Sequence, residues 1–199
     1  MKDWQFIKEK NGVKLETKPI ENSNITQTRV TGILYDVNID DVFNFIYNAD
    51  FNKHKKIFTD LISIEELEVV NEHNKFERII YKFPIIKNRD FVIHKYWQNS
   101  SNFLYESDEH IGKSYTIKSK SVEHMDAPID PKYIRGISNC TIILTQVTDR
   151  DVELVNINYV DPNGNIPKSL VNMYKYKAMD IIKLIQKYFD KYFIEIIED

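Results

Sequence analysis

Polar and apolar residues alternate through most of the chain and switch to a helical period near its end. Val13 to Ile20 and Ile25 to Tyr35 are rich in Val, Ile and Thr, which suit half-buried strands. Asn38 then precedes Ile39-Asp40-Asp41-Val42-Phe43-Asn44-Phe45-Ile46. Asn38 is a good N-cap, the two aspartates suit the positive end of a helix, and Ile39, Val42, Phe43 and Ile46 form an i, i+3, i+4, i+7 stripe. These signals predict a short helix, and a second is predicted from Asp50 to Phe58. Strand patterns resume at Leu61 to Val70, Lys75 to Phe83, Asp90 to Gln98, Ser114 to Val122, Thr141 to Thr148 and Val152 to Val160. Asp161-Pro162-Asn163-Gly164 places Pro and Gly where a type I turn wants them.

After that turn the period changes. From Pro167 to Ile197 neither Pro nor Gly recurs. Leu170, Val171, Tyr174, Ala178, Ile181, Ile182, Ile185, Tyr188, Phe189 and Tyr192 fall on helical spacing, which predicts one long amphipathic helix over Ile166 to Ile197. Sequential strands imply an antiparallel sheet, and helices segregated from them imply an α+β fold. In this reading the two short helices follow the second strand.

Two strands carry charge on an apolar face. Alternate strand residues share a face, so Glu77, Ile79, Tyr81 and Phe83 lie together, as do Phe91, Ile93, Lys95 and Trp97. Each set reads as one charge among apolar neighbours. A hairpin with Phe83 opposite Arg89 sets Tyr81 against Phe91, Ile79 against Ile93 and Glu77 against Lys95. A buried charge is costly unless paired. A polar anchor in an apolar cavity is also how a small-molecule site fixes orientation.

Composition narrows the function. The 199 residues hold 27 Lys and Arg against 30 Asp and Glu, and the net charge of -3 argues against a general nucleic-acid binder. Only 5 glycines and 6 prolines occur, scattered, so no linker divides the chain and one domain over 1–199 is expected. Cys140 is the only cysteine, which leaves no internal disulfide and no cysteine-based zinc site. His54, His73, His94, His110 and His124 show no close metal-ligand spacing, so no metal and no cofactor are expected. No Gly-x-Ser-x-Gly elbow or Gly-rich phosphate loop appears, and no catalytic residues are assigned. Arg89, Asp90 and Arg135 read as fold-holding ion pairs or hydrogen bonds. No apolar run follows Met1, and none reaches the roughly 18 residues of a membrane span. The chain is expected to be cytoplasmic, unless a signal or transit segment has been removed.

Several short blocks together resemble a known family, the START domains (steroidogenic-acute-regulatory-related lipid transfer). Trp4 and Gly12-Val13 resemble its opening. Arg89-Asp90-Phe91-Val92 matches its Arg-Asp-Phe block, and Ser119-Lys120-Ser121-Val122-Glu123-His124 with Pro128 is similar to its Ser-Val-x-His segment. Ile134-Arg135-Gly136 is similar to its Val-Arg-Gly, and Asp161 to Pro167 with Leu170-Val171-Asn172 matches its entry to the last helix. One block departs: Asp50-Phe51-Asn52 stands where many members have a Trp-Asp pair.

The resemblance implies a helix-grip fold, in which a curved antiparallel sheet wraps a long C-terminal helix and a tunnel between them holds one lipid. It implies a phospholipid as ligand, with sterol or ceramide as other candidates, carried between membranes by transient surface contact. The expected lipid-binding residues are Glu77, Lys95, Tyr81, Phe91, Ile93 and Trp97 on the two strands above, Ile157 and Tyr159 on the last strand, and Tyr174, Met179 and Ile182 on the helix. The family's basic residue in the tunnel is Arg in the phosphatidylcholine-transfer type; here Lys95 stands there and offers a point charge. Ile85, Ile86, Lys87, Ile166 and Lys168 are expected at the entrance, as a lid and membrane contact. The rival readings are a lipid sensor or interaction module that never transfers its ligand, and a helix-grip enzyme using the same cavity.

Overall fold

The computed structural model describes residues 3–21, 23, 25–48, 50–100 and 112–197, with 168–172 and 192–197 described by backbone alone. His110 and the side chains of Lys168, Leu170, Val171 and Tyr192 therefore lie outside the described set.

The chain opens with a strand that the sequence reading omitted, β1 (Gln5–Lys10). It pairs with β2 (Val13–Pro19) through Asn11-Gly12, both at positive φ (52° and 72°). An Asn-Gly pair between two strands is the usual signal for a tight hairpin, because both central positions need left-handed backbone. β3 (Thr26–Leu34) follows, so the two short helices come after the third strand rather than the second. α1 (Ile39–Tyr47) begins as expected: the Asn38 side chain accepts a hydrogen bond from the Asp40 N–H at 2.7 Å. α2 (Phe51–Lys55) is capped the same way by Asp50.

The remaining strands are β4 (Leu61–Asn71), β5 (Asn74–Tyr81), β6 (Arg89–Asn99), β7 (Ser114–Ser121), β8 (Ile134–Arg135), β9 (Ile137–Thr148) and β10 (Asp151–Asp161). The sheet order is β1-β2-β3-β10-β9-β7-β6-β5-β4, with every neighbouring pair antiparallel. Short β8 pairs parallel with the start of β6. The sheet and the C-terminal helices form the α+β helix-grip arrangement.

Two expectations near the C-terminus are corrected. Asn163 has φ of 52°, which a type I turn does not allow. Its N–H instead bonds the Asp161 carboxylate at 2.8 Å, a local alternative open to an Asp two residues earlier. The long helix is two helices, α3 (Lys168–Lys177) and α4 (Asp180–Ile197). Three-residue hydrogen bonds, Met179 N–H to the Tyr176 carbonyl and Ile181 N–H to the Ala178 carbonyl, tighten the chain between them. No Pro or Gly causes this break, and Asp180 opens the second helix.

The core lies between α1, α4 and the inner face of β2, β3, β10 and β9. Leu15, Val30, Leu34, Val42, Leu144 and Leu154 are fully buried there, and Ile182, Ile185 and Phe189 bring the apolar stripe of α4 onto them. The Gln186 side chain clips α4 to the end of β3, accepting from the Tyr35 N–H at 2.8 Å and donating to the Tyr35 carbonyl at 3.0 Å.

Three of the blocks that carry the family resemblance, Arg89–Phe91, Ile134–Gly136 and the turn after Asp161, meet at one corner. Arg89, 1% exposed, donates to the carbonyls of Lys87, Pro162 (3.0 Å) and Asn163 (3.1 Å), tying the start of β6 to the turn before α3. Asp90 is held between Arg78 (3.0 Å) and Arg135 (2.9 Å). Phe91 lies over Gly136, where a Cβ would sit 2.3 Å from its ring. These are fold contacts, as expected for Arg89, Asp90 and Arg135.

Candidate functional site

The register of β5 and β6 decides which charges meet. Tyr81, not Phe83, lies opposite Arg89, so Glu77 faces Ile93 and Lys95 faces Lys75. The assumed hairpin is therefore shifted by two residues. The strand ends early because Lys82 leaves the ladder to bond the Asp60 carbonyl (2.7 Å) and Phe83 turns to the Asn88 side chain (3.2 Å). Glu77 and Lys95 still meet, diagonally, with Oε2 at 3.6 Å from Nζ. Diagonal neighbours on an antiparallel pair are within reach of long side chains.

The face also holds a third charge. Lys75 is one alternation before Glu77, and its Nζ is 2.7 Å from Glu77 Oε1. The β5 face thus carries two charges rather than one. Lys75 also approaches Glu66 at 3.7 Å, a residue half-exposed at the sheet edge. Both ammoniums stand over the Tyr47 ring, at 5.0 and 5.3 Å from its centre.

Lys95 has a second task. Its Nζ donates to the carbonyls of Ile46 (2.9 Å) and Tyr47 (3.4 Å), and His54 Nε2 donates to the Phe45 carbonyl (2.9 Å). Three successive carbonyls at the C-terminal end of α1 are thereby satisfied by side chains from β6 and α2. That end carries the negative pole of the helix, which favours a cation beside it. Burial pushes the Lys95 ammonium below its ordinary pKa, against the pull of Glu77. Burial pushes the Glu77 carboxyl up, but Lys95 and Lys75 together outweigh it and hold it below its ordinary value. Burial, helped by Lys95, lowers the His54 ring, so it stands neutral at pH 7.

A cavity of about 160 Å³ opens beside this cluster, between the sheet and the start of α4. Its walls are mostly apolar, including Phe45, Phe58, Ile79, Ile93, Ile181 and Ile185. Its polar groups are His54, Glu77, Tyr81, Lys95, Ser119 and Cys140. Ser119 and Cys140 follow Lys95 as successive cross-strand partners on β7 and β9. Burial pushes the Tyr81 hydroxyl and the Cys140 thiol up to about 12, so both stay protonated at neutral pH. A thiol in that state is a poor nucleophile.

Of the expected lipid-binding residues, Glu77, Lys95, Tyr81 and Ile93 line this cavity. Phe91 is buried over Gly136, and Trp97 meets Phe43, Tyr47 and Tyr115 edge-to-face while its indole donates to the Glu72 carbonyl. Ile157 and Tyr159 are corrected: they lie on the outer face of β10. Buried Val152, Leu154 and Asn156 set the inner phase, and Asn156 accepts from the Cys140 thiol at 3.2 Å. On the helices, Ile182 packs in the core and Met179 marks the break, while Tyr174 meets the Phe83 ring at 4.9 Å. Of the residues expected at an entrance, Ile85 is 98% exposed with φ of 73°, Ile86 and Ile166 are half-buried, and Lys87 reaches the Pro131 carbonyl. The reading missed Lys75, His54, Ser119 and Cys140. Extending the alternation one step before Glu77 finds Lys75; the others depend on register and helix placement. Among the described residues no cluster of three or more His, Cys, Asp or Glu could hold a metal, and no helix is long and apolar enough to cross a membrane.

The sequence matches the START domain family over residues 11–192, and the chain belongs to that family. It is 24% identical over 134 residues to the human protein named StAR-related lipid transfer protein 7, mitochondrial, covering 66% of this chain and 33% of that one. The chain thus spans about a third of the length of that relative. Human STARD10 has the same fold, with a TM-score of 0.80 and 20% identity over 95% of this chain and 74% of that one. Human StAR-related lipid transfer protein 5 is similar to the same degree, at TM-score 0.80 and 20% identity, over 95% and 87%.

Proposed function

We propose that this protein, as one START-like domain over 1–199, binds a single phospholipid between the inner face of the sheet and α4 and transfers it between membranes. Family membership supports lipid binding and transfer, and the names of two of its relatives are those of lipid transfer proteins. The observation that carries the finer reading is the Glu77–Lys95 contact at the wall of a mostly apolar cavity. Acyl chains suit the apolar walls, and a phosphate suits an ammonium held in low dielectric. Sterol and ceramide are the competing ligands; neither needs a cation.

The cavity volume of about 160 Å³ lies below the roughly 300–1,000 Å³ of ordinary small-molecule pockets. Loading therefore requires it to widen. One tie that would have to open is the ion pair between Lys177 of α3 and Asp60, 2.6 Å apart and exposed on both sides. Ile85 is exposed and in strained backbone, and it would meet an anionic membrane surface as lipid enters; Ile86, Lys87, Ile166 and Lys168 are proposed to join that contact. In this reading the protein acts in the cytoplasm, peripheral to membranes, and performs no covalent chemistry.

The test is transfer of labelled lipid between vesicles. Acceleration of phospholipid transfer by the purified chain supports the proposal. Acceleration of sterol or ceramide alone removes the phospholipid part, and none for any class leaves a lipid sensor.

A further inference from the structure

We infer that Lys75 is the residue that sets headgroup selectivity, and that the site takes a lipid with a net negative headgroup in preference to a zwitterionic one. This rests on the lipid-binding reading above. The argument is one of exchange at Glu77. The Lys95 ammonium has three donors; two lie on the carbonyls of Ile46 and Tyr47, and the third points to Glu77 at 3.6 Å. A phosphate oxygen reaching Lys95 must take that third position. Glu77 is 5% exposed, and were Lys95 its only cation, giving Lys95 up would leave a buried, unpaired carboxylate beside a phosphate. Lys75 removes this obstacle, because it already holds the other carboxylate oxygen at the shorter distance of 2.7 Å. Glu77 can release Lys95 and stay paired.

The charge balance favours the same ligand. Glu77 is the one carboxylate among the described residues lining the cavity, and both its oxygens face ammoniums. A quaternary ammonium headgroup would find no free anion there and two lysines close by. Glu66 sits 3.7 Å from Lys75, but half-exposed, where solvent screens it. The partial negative charge at the end of α1 is already occupied by Lys95 and His54.

The experiment uses single vesicles carrying fluorescent phosphatidylglycerol and fluorescent phosphatidylcholine with identical acyl chains. The protein is reisolated and the ratio of the two bound lipids is counted, so that attraction to the vesicle surface cancels. The parent is expected to favour phosphatidylglycerol about tenfold, equivalent to about 1.4 kcal/mol. Lys75→Met should abolish that preference, and Lys75→Arg should retain it. The double variant Lys75→Met with Glu77→Gln should regain it, because no carboxylate is then left unpaired; it also covers the case in which Lys75→Met alone does not fold. Equal capture of both lipids by the parent overturns the inference while leaving the carrier reading intact, and so does a Lys75→Met variant with the parent's ratio. Capture of neither lipid overturns the carrier reading itself.

Discussion

Replacing Lys95 by Met keeps length and removes charge. The ammonium makes three contacts, to the Ile46 carbonyl (2.9 Å), the Tyr47 carbonyl (3.4 Å) and Glu77 (3.6 Å). Hydrogen bonds to charged groups contribute roughly 1.5–3 kcal/mol each, and stranded buried acceptors cost about 1–3 kcal/mol. Against this, the variant no longer buries an ammonium, which relieves a desolvation cost of several kcal/mol. Glu77 is not orphaned, because Lys75 stays at 2.7 Å. The balance is a loss of about 2 kcal/mol, which for a chain of this size lowers the melting temperature by roughly 4–8 °C. The variant should therefore be folded at 25 °C. Its phospholipid transfer should fall by roughly 10- to 100-fold, the equivalent of one charge-assisted hydrogen bond. Sterol transfer, measured in the same vesicles, should change little. Folded Lys95→Met that transfers phospholipid as fast as the parent would refute the headgroup role and reduce Lys95 to a cap on α1.

Other perturbations separate fold from function. Ile85→Gly should raise stability by about 1 kcal/mol, since a β-branched residue at φ of 73° is strained, while slowing transfer and weakening vesicle binding; a higher melting temperature with unchanged transfer would remove Ile85 from the membrane contact. Gly136→Ala should destabilise by roughly 1–3 kcal/mol in denaturant titration, because its Cβ would stand 2.3 Å from the Phe91 ring. Acid should also destabilise through Glu77. Its folded pKa is depressed, so its contribution is present above the unfolded value of about 4.3 and is lost as pH falls through the lower folded value. Glu77→Gln should flatten that part of the stability–pH curve. At the alkaline end, Lys95 loses its charge before a free lysine would, so capture of anionic lipid should decline at a pH below about 10.4.

Period and caps made most of the fold legible. The stripe of α1, its Asn38 cap and the strands from Leu61 onward are local signals and stand, although β5 ends at Tyr81 rather than Phe83, β9 begins at Ile137 rather than Thr141, and short β8 was not read. β1 was legible too, through Asn11-Gly12, but its exposed residues offer little apolar alternation. The break at Ala178–Met179 was not, since neither residue disfavours a helix. Faces were harder. The phase of β10 is set by Val152 and Leu154 against the core, and a reading that starts from Ile157 and Tyr159 lands on the opposite side. The β5–β6 register depends on how many residues the loop keeps, and Phe83 is withdrawn from the ladder by Asn88, Arg89 and Tyr174. Glu77 and Lys95 survived that error because a two-residue slip preserves the face. His54 entered through helix placement alone, which no spacing in the sequence reveals.

Native mass spectrometry of the purified chain after incubation with phospholipid vesicles tests the central claim most directly. The expected spectrum shows the chain with one phospholipid per molecule, and with no second equivalent at higher vesicle concentration. A spectrum of the bare chain alone, with no accelerated transfer of any lipid class, would contradict it.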